Sequence, residues 1–246
     1  MHDEATDTHG PAVTLELHGA VALITLARPA KRNALSRELR VALADAFARA
    51  GHDDAVACLV LTGAGGTFCA GLDREDLFGT APTSPADVAP LSYAAISDCR
   101  KPVIAAINGP ALAGGFALAL HCDMRIAADT AELGFLGHGK GIPPSYAAAR
   151  AVLAPGVARD LCVTGRIVSA QDALRLGVVS EVTAAAEVVG RALEVAQEVA
   201  SGPPHVVREA KRRFLIDQEA SIRPLMEREE RFLLGMLERV LPDFKL

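Results

Sequence analysis

Taken whole, this 246-residue chain lacks an excess of positive charge: 25 lysines and arginines are outnumbered by 30 aspartates and glutamates, giving a net charge of −5. With basic and acidic residues interspersed, the chain offers no electrostatic footprint for a polyanion, which argues against nucleic-acid binding. The five cysteines (Cys58, Cys69, Cys99, Cys122 and Cys162) are odd in number and sit mostly in apolar runs without a Cys-x-x-Cys pair. They read as buried thiols of a reducing, cytoplasmic compartment. The seven histidines are dispersed, and His121 Cys122 Asp123 lacks the spacing of a ligand set, so no metal is expected. No Gly-x-Ser-x-Gly elbow occurs, which leaves serine-hydrolase chemistry without a nucleophile. Gly63 Ala64 Gly65 Gly66 follows an apolar run, but neither a third glycine in register nor a Gly-Lys-Ser/Thr follows it. A nucleotide-binding loop is therefore not indicated. The nearly uncharged stretch 103–120 is broken by Asn108, Gly109, Pro110, Gly114 and Gly115, which reads as strand, loop and buried helix and not as a membrane span. Residues 1–11 are polar and acidic, unlike a signal or transit peptide, and are expected to fray. There is no internal repeat.

Half of the residues are hydrophobic, enough at this length for one full core with a smaller helical extension. Residues 13–18 and 21–26 flank His18 Gly19 Ala20 as a hairpin, and Ser36 caps an amphipathic helix reaching about residue 49, with Leu39, Leu43 and Phe47 on one face. Short buried strands at 58–61 and 103–107 enclose a helix at 85–100, and further strands fall at 124–127 and 132–135. This alternation predicts an α/β fold with parallel pairing through helical crossovers. From residue 145 the pattern turns helical: 145–153, 157–164, 169–176 with Ser169 as cap, and 184–200. After the break Ser201 Gly202 Pro203 Pro204, two more helices are expected at 205–215 and 219–240. The division is thus a core over residues 12–200 and a C-terminal helical region over residues 201–246. The apolar stripe of that region (Ile222, Leu225, Met226, Phe232, Leu233 and neighbours) exceeds what a short helix buries on itself, so a second copy of the chain is its natural partner.

Two glycine-bearing segments stand out. Phe68 Cys69 Ala70 Gly71 Leu72 Asp73 and Asn108 Gly109 Pro110 Ala111 Leu112 Ala113 Gly114 Gly115 each follow an apolar β-type run and each expose backbone N–H groups. Gly114 and Gly115 also open a helix, where unpaired N–H groups coincide with the positive end of the helix dipole. Together the segments suit an oxyanion hole. A proline at residue 114 deletes one donor at a position that a helix tolerates.

These segments resemble the crotonase (enoyl-CoA hydratase/isomerase) superfamily, with the likeness running from about residue 13 to about residue 182 and a weaker match at Pro242 Asp243 Phe244 Lys245. The resemblance implies a crotonase-like spiral of parallel-strand-rich ββα units with a C-terminal helical region, assembled as a homotrimer or hexamer. It implies an acyl-CoA ligand, with coenzyme A as the carrier part of the substrate and no permanently bound cofactor. In that family the N–H groups at the positions of Leu72 and Gly114 polarise the thioester carbonyl. Ala70, Gly71 and Asp73 belong to the same ligand loop, though Asp73 is as well suited to capping a following helix. Lys31, Arg32, Arg239 and Lys245 match the basic positions near the coenzyme, while the acidic-and-glycine segment usual before the final helix is skipped here.

The hydratases of the family carry two carboxylates where this chain has Ala117 and Gly137. His138, one residue past the second vacancy, reads either as a proton-transfer group or as a solvated loop histidine. Tyr146 lies two positions from a tyrosine of decarboxylating members. Glu132 and His121 read more simply as surface charge and a core histidine. Two expectations remain open: an atypical lyase or isomerase, or an acyl-CoA-binding protein without turnover.

Overall fold

The structure, a computed structural model, describes residues 10–73, 75–76, 93–136 and 142–240, except the side chains of residue 234 and residues 236–240. Strands β1 (Val13–His18) and β2 (Val21–Leu26) form the hairpin, in register from Val13 opposite Leu26 to His18 opposite Val21, with Gly19 in the left-handed region at the turn. A 3₁₀ turn (Pro29–Lys31) leads into α1 (Arg37–His52), whose first turn is capped by Ser36 Oγ accepting the Leu39 N–H at 3.2 Å. Leu39, Leu43, Ala46, Phe47 and Ala50 form its buried face. The wholly buried strands β3 (Cys58–Gly63) and β4 (Val103–Ile107) follow, with α2 (Ala94–Ser97) between them. Next come β5 (Ala111–Leu112), α3 (Gly114–His121), β6 (Met124–Ala128), β7 (Glu132–Gly134), α4 (Tyr146–Val152), α5 (Pro155–Thr164), β8 (Val168–Ser169), α6 (Ala170–Arg175), β9 (Glu181–Thr183), α7 (Val188–Ser201), α8 (Pro204–Ser221) and α9 (Arg223–Val240).

The main sheet has six strands in the order β1-β2-β3-β4-β6-β9, and every pairing after the hairpin is parallel. Parallel neighbours need crossovers: α1 lies between β2 and β3, α2 between β3 and β4, α3 between β4 and β6, and the stretch through β7 and β8 of the second sheet, β5-β7-β8, between β6 and β9. The strands β3 and β4 are buried throughout and apolar apart from Thr62, whose hydroxyl donates to the Ala106 carbonyl at 2.9 Å, because the sheet is covered on both faces.

Several boundaries differ from the sequence pattern, most of all those of the later helices. α7 begins at Val188 because residues 184–187 close a turn, with the Glu187 N–H on the Ala184 carbonyl at 2.9 Å, so alanine propensity yields to the exit from β9. α8 runs to Ser221, since nothing in residues 216–219 breaks a helix. The chain turns at buried Ile222, just before Pro224, which only a first turn accommodates. The helix expected at 85–100 is observed as α2, and its earlier part lies outside the described residues.

The C-terminal helices fold back on the core of their own chain. Lys211 of α8, 2 % exposed, places Nζ 2.7 and 2.8 Å from the two carboxylate oxygens of Asp123, which also accepts the Val103 N–H at 2.8 Å. Glu229 of α9 accepts the Ser145 hydroxyl at 3.0 Å and the Ala147 N–H at 2.8 Å, supplementing the Ser145 cap of α4. All five cysteines are free and buried, and burial pushes the Cys58, Cys69 and Cys122 thiols up to about 12.

Candidate active site

The two glycine-bearing segments meet. Cys69 accepts the Leu112 N–H at 3.0 Å and pairs with Ala111 in a parallel bridge, so the segments run side by side. Gly115 is obligatory at this crossing: a Cβ there would lie 2.1 Å from the Cys69 carbonyl oxygen. One step further along, Gly71 takes φ +97°, which strains any side chain, and its Cβ would be crowded at 3.0 Å from the Gly114 nitrogen and 3.0 Å from the Leu112 carbonyl oxygen. The Gly71–Leu72 peptide therefore lies directly against the peptide nitrogen that opens α3.

Both nitrogens keep their hydrogens available. Leu72 is bridged to Leu35, but the bonds of that bridge are Leu35 N–H to Gly71 carbonyl at 2.8 Å and Asp73 N–H to Leu35 carbonyl at 3.4 Å, so the Leu72 N–H points away from Leu35. Gly114 is the first residue of α3, where no intrahelical acceptor exists. Neither N–H has an acceptor among the described residues, and Leu72, Leu112, Ala113 and Gly114 are half-buried while the residues beneath them are buried. A pair of orphan donors at a half-open site, one at a helix N-terminus, can hold a carbonyl oxygen that gains negative charge. Ala113, before Gly114, adopts φ 50°, ψ −118°, a strained conformation for an alanine, and its own N–H is held by the Gly134 carbonyl at 2.8 Å. That conformation is incompatible with a following proline, and the Tyr93 hydroxyl lies 3.0 Å from where a residue-114 Cβ would stand. Gly114→Pro would thus disturb the turn as well as delete a donor, contrary to the expectation from helix position alone.

Behind Gly114 lies a group that the sequence pattern does not reveal. The Tyr93 hydroxyl donates to the Gly114 carbonyl at 3.0 Å, and its ring stacks on His121 with centroids 4.7 Å apart and planes at 18°. His121 Nδ1 is 2.8 Å from Ser97 Oγ, Nε2 has no partner among the described residues, and burial lowers the imidazole to about 3, so it is neutral. The expected core histidine is present, with one nitrogen satisfied among the described residues. Ala117, also on α3, is buried and offers a methyl group.

A protein-family model described as enoyl-CoA hydratase/isomerase matches residues 16–233. The chain belongs to the enoyl-CoA hydratase/isomerase family. It is 33% identical over 215 residues to an enoyl-CoA hydratase, EchA19, of Mycobacterium tuberculosis, covering 83% of this chain and 80% of that one. To a carnitinyl-CoA dehydratase of Proteus mirabilis it is 36% identical over 216 residues, with 85% and 82% covered. To a 4-chlorobenzoyl coenzyme A dehalogenase of an Arthrobacter species the figures are 31% over 233 residues, with 88% and 82% covered. An enoyl-CoA hydratase/isomerase structure from Pseudoalteromonas atlantica superposes with a TM-score of 0.84 at 34% identity, covering 92% of this chain and 91% of that one. The spiral α/β fold with C-terminal helices is therefore that of the crotonase structures.

Among the other residues singled out by likeness to the family, Asp73 is occupied: it accepts Arg28 Nη1 at 2.8 Å and the Glu75 N–H at 3.0 Å, the capping arrangement. Ala70 donates its N–H to the Arg32 carbonyl at 3.0 Å, which ties the ligand loop to the basic turn. On that turn, Lys31 is exposed and pairs with Glu75 at 2.5 Å, and Arg32 takes a left-handed conformation (φ 51°). Tyr146 starts α4, half-buried against the core, and its hydroxyl makes no hydrogen bond among the described residues. Glu132 is exposed at the start of β7, as surface charge. His138, Gly137 and Lys245 lie outside the described residues, as does the side chain of Arg239.

The Gly63–Gly66 loop is tied down at its start, the Gly63 N–H donating to Asn108 Oδ1 at 3.2 Å and the Ala64 N–H to the Leu26 carbonyl at 2.8 Å. Its carbonyls are taken by two asparagines: Asn33 Nδ2 reaches Ala64 at 3.0 Å and Thr67 at 2.7 Å, and Asn108 Nδ2 reaches Gly63 at 2.7 Å and Gly65 at 2.6 Å. Asn33 is fully buried in the left-handed region, a conformation that asparagine tolerates well.

Proposed function

We propose that this family member binds an acyl-CoA thioester with its carbonyl oxygen between the N–H groups of Leu72 and Gly114, and that it acts as an atypical lyase or isomerase. The observation that carries the reading is the approach of Gly71 to the Gly114 nitrogen, which sets two orphan donors side by side at a half-open site. Withdrawing electrons through the thioester carbonyl acidifies the α carbon and stabilises an enolate, the intermediate common to elimination and isomerisation next to a thioester. Lys31 and Arg32 stand on the turn bonded to the ligand loop, where their charge suits the coenzyme phosphates. A homotrimer or hexamer would cover Phe214 and Phe232, which are 52 % and 63 % exposed on the C-terminal helices.

Hydration is the reaction this site is least equipped for. It needs a water deprotonated at one face of the double bond while the α carbon is protonated, and each positioned acid or base supplies about 10² to 10⁴ in rate. Ala117 contributes a methyl group three residues after Gly114, and Asp73 is engaged by Arg28. The same two features favour a second reading, an acyl-CoA-binding protein that retains the pocket without turnover.

The test is an absorbance assay of crotonyl-CoA. The unmodified protein should bind it and hydrate it very slowly or not at all, whereas Ala117→Glu with Gly137→Glu should gain measurable hydration that neither single change supplies. Efficient hydration by the unmodified protein, surviving both His138→Ala and Tyr146→Phe, would contradict the reading.

A further inference from the structure

We propose that Tyr93 is a positioning residue for the oxyanion donors, its hydroxyl locking the double-glycine turn that carries the Gly114 N–H. The proposal rests on the reading of Leu72 and Gly114 as a thioester-carbonyl site. α3 opens with Gly114 and Gly115, two residues without side chains, and glycine resists being fixed more than any other residue. Close packing explains why Gly115 must be glycine, since a Cβ would strike the Cys69 carbonyl oxygen at 2.1 Å. The turn therefore gains its close approach at the expense of stiffness, and it also carries the strained Ala113, which persists only if its surroundings over-determine it.

Tyr93 provides that restraint from outside the helix. Its hydroxyl bonds the Gly114 carbonyl at 3.0 Å, on a lone pair left over after the helical bond, so that carbonyl is held from two sides. Gly114 and His121 are seven residues apart and share a face of α3, which lets a single tyrosine lie along two turns, its ring on His121 and its hydroxyl on Gly114. The ring is fixed in turn, because Ser97 holds His121 at 2.8 Å from the same short helix α2 that Tyr93 precedes. Burial raises the phenol's pKa, which keeps it a donor throughout the neutral range. A stacked ring alone would stabilise α3; the hydroxyl aimed at the first carbonyl of the helix is what couples Tyr93 to the donor.

Tyr93→Phe keeps the stack and removes the hydrogen bond. The experiment records the infrared carbonyl stretch of crotonyl-CoA, ¹³C-labelled at the thioester carbon, bound to each protein. Wild type should lower the frequency relative to free ligand, and Tyr93→Phe should lose part of that shift. For any acyl-CoA that is turned over, kcat should fall about threefold to tenfold with KM changed less than about twofold. Hydrogen exchange in the peptide covering residues 111–121 should accelerate in the variant while global unfolding changes little. Ser97→Ala, which frees His121 beneath the tyrosine, should move the carbonyl stretch in the same direction by less. An unchanged stretch in both variants would overturn the role of Tyr93 while leaving the thioester site intact. Failure of wild type to bind the thioester, or to shift its carbonyl, would overturn the site and this role together.

Discussion

Among the described residues, a neutral imidazole stacked on Tyr93 and a methyl group at Ala117 define the chemistry beside Gly114 more than any charged residue does. Burial holds the His121 imidazole at about 3, against 6.5 for the unperturbed group. The unfolded chain therefore binds a proton that the folded chain refuses, and stability is lost as pH falls below the unfolded value toward the folded one. Between about pH 8 and about pH 5 this one residue should cost about 2 kcal/mol of unfolding free energy. Urea titrations at both pH values should show that decline in wild type and its absence in His121→Phe, which preserves a ring in the stack; an equal decline in both would place the titration elsewhere. At this scale the sequence displayed Leu72 and Gly114, because backbone donors announce themselves through glycines and helix starts. Tyr93, Asn33 and Asn108 were illegible, since each acts on residues far away in the chain: 21 positions separate Tyr93 from Gly114, and 45 separate Asn108 from Gly63.

Strands and helices were the most legible level. The hairpin, the buried strands β3 and β4 and the Ser36 and Ser169 caps follow from local pattern and side-chain chemistry, and all are present. What local pattern does not convey is how α8 attaches. Lys211 reads as one more charge on a polar helix, yet it is buried on Asp123, and that carboxylate in turn accepts the first N–H of β4. Breaking one side of a buried pair leaves the other uncompensated, so Lys211→Met should cost about 3 to 5 kcal/mol. Adding Asp123→Asn, which retains an acceptor for Val103, should restore much of the loss. Denaturant melts of the single and double variants check this, and a single variant within about 1 kcal/mol of wild type would mean that α8 is held mainly by apolar packing.

For the whole molecule, the alternation of strands and helices conveyed only an α/β fold, the family's architecture came through the resemblance carried by two short motifs, and the packing of the C-terminal region was not readable. That region lies on its own core through Lys211 and Glu229 and still exposes Phe214, Ile216 and Phe232. Sedimentation at micromolar concentration should therefore report a trimer or hexamer, and a stable monomer would remove the proposed partner of those side chains. The most direct test of the account as a whole is a crystal structure of the protein with a saturated acyl-CoA such as hexanoyl-CoA. The thioester oxygen should lie about 2.7 to 3.2 Å from the nitrogens of both Leu72 and Gly114, with the acyl chain passing Ala117. A bound acyl-CoA whose carbonyl faces away from those two nitrogens would contradict it.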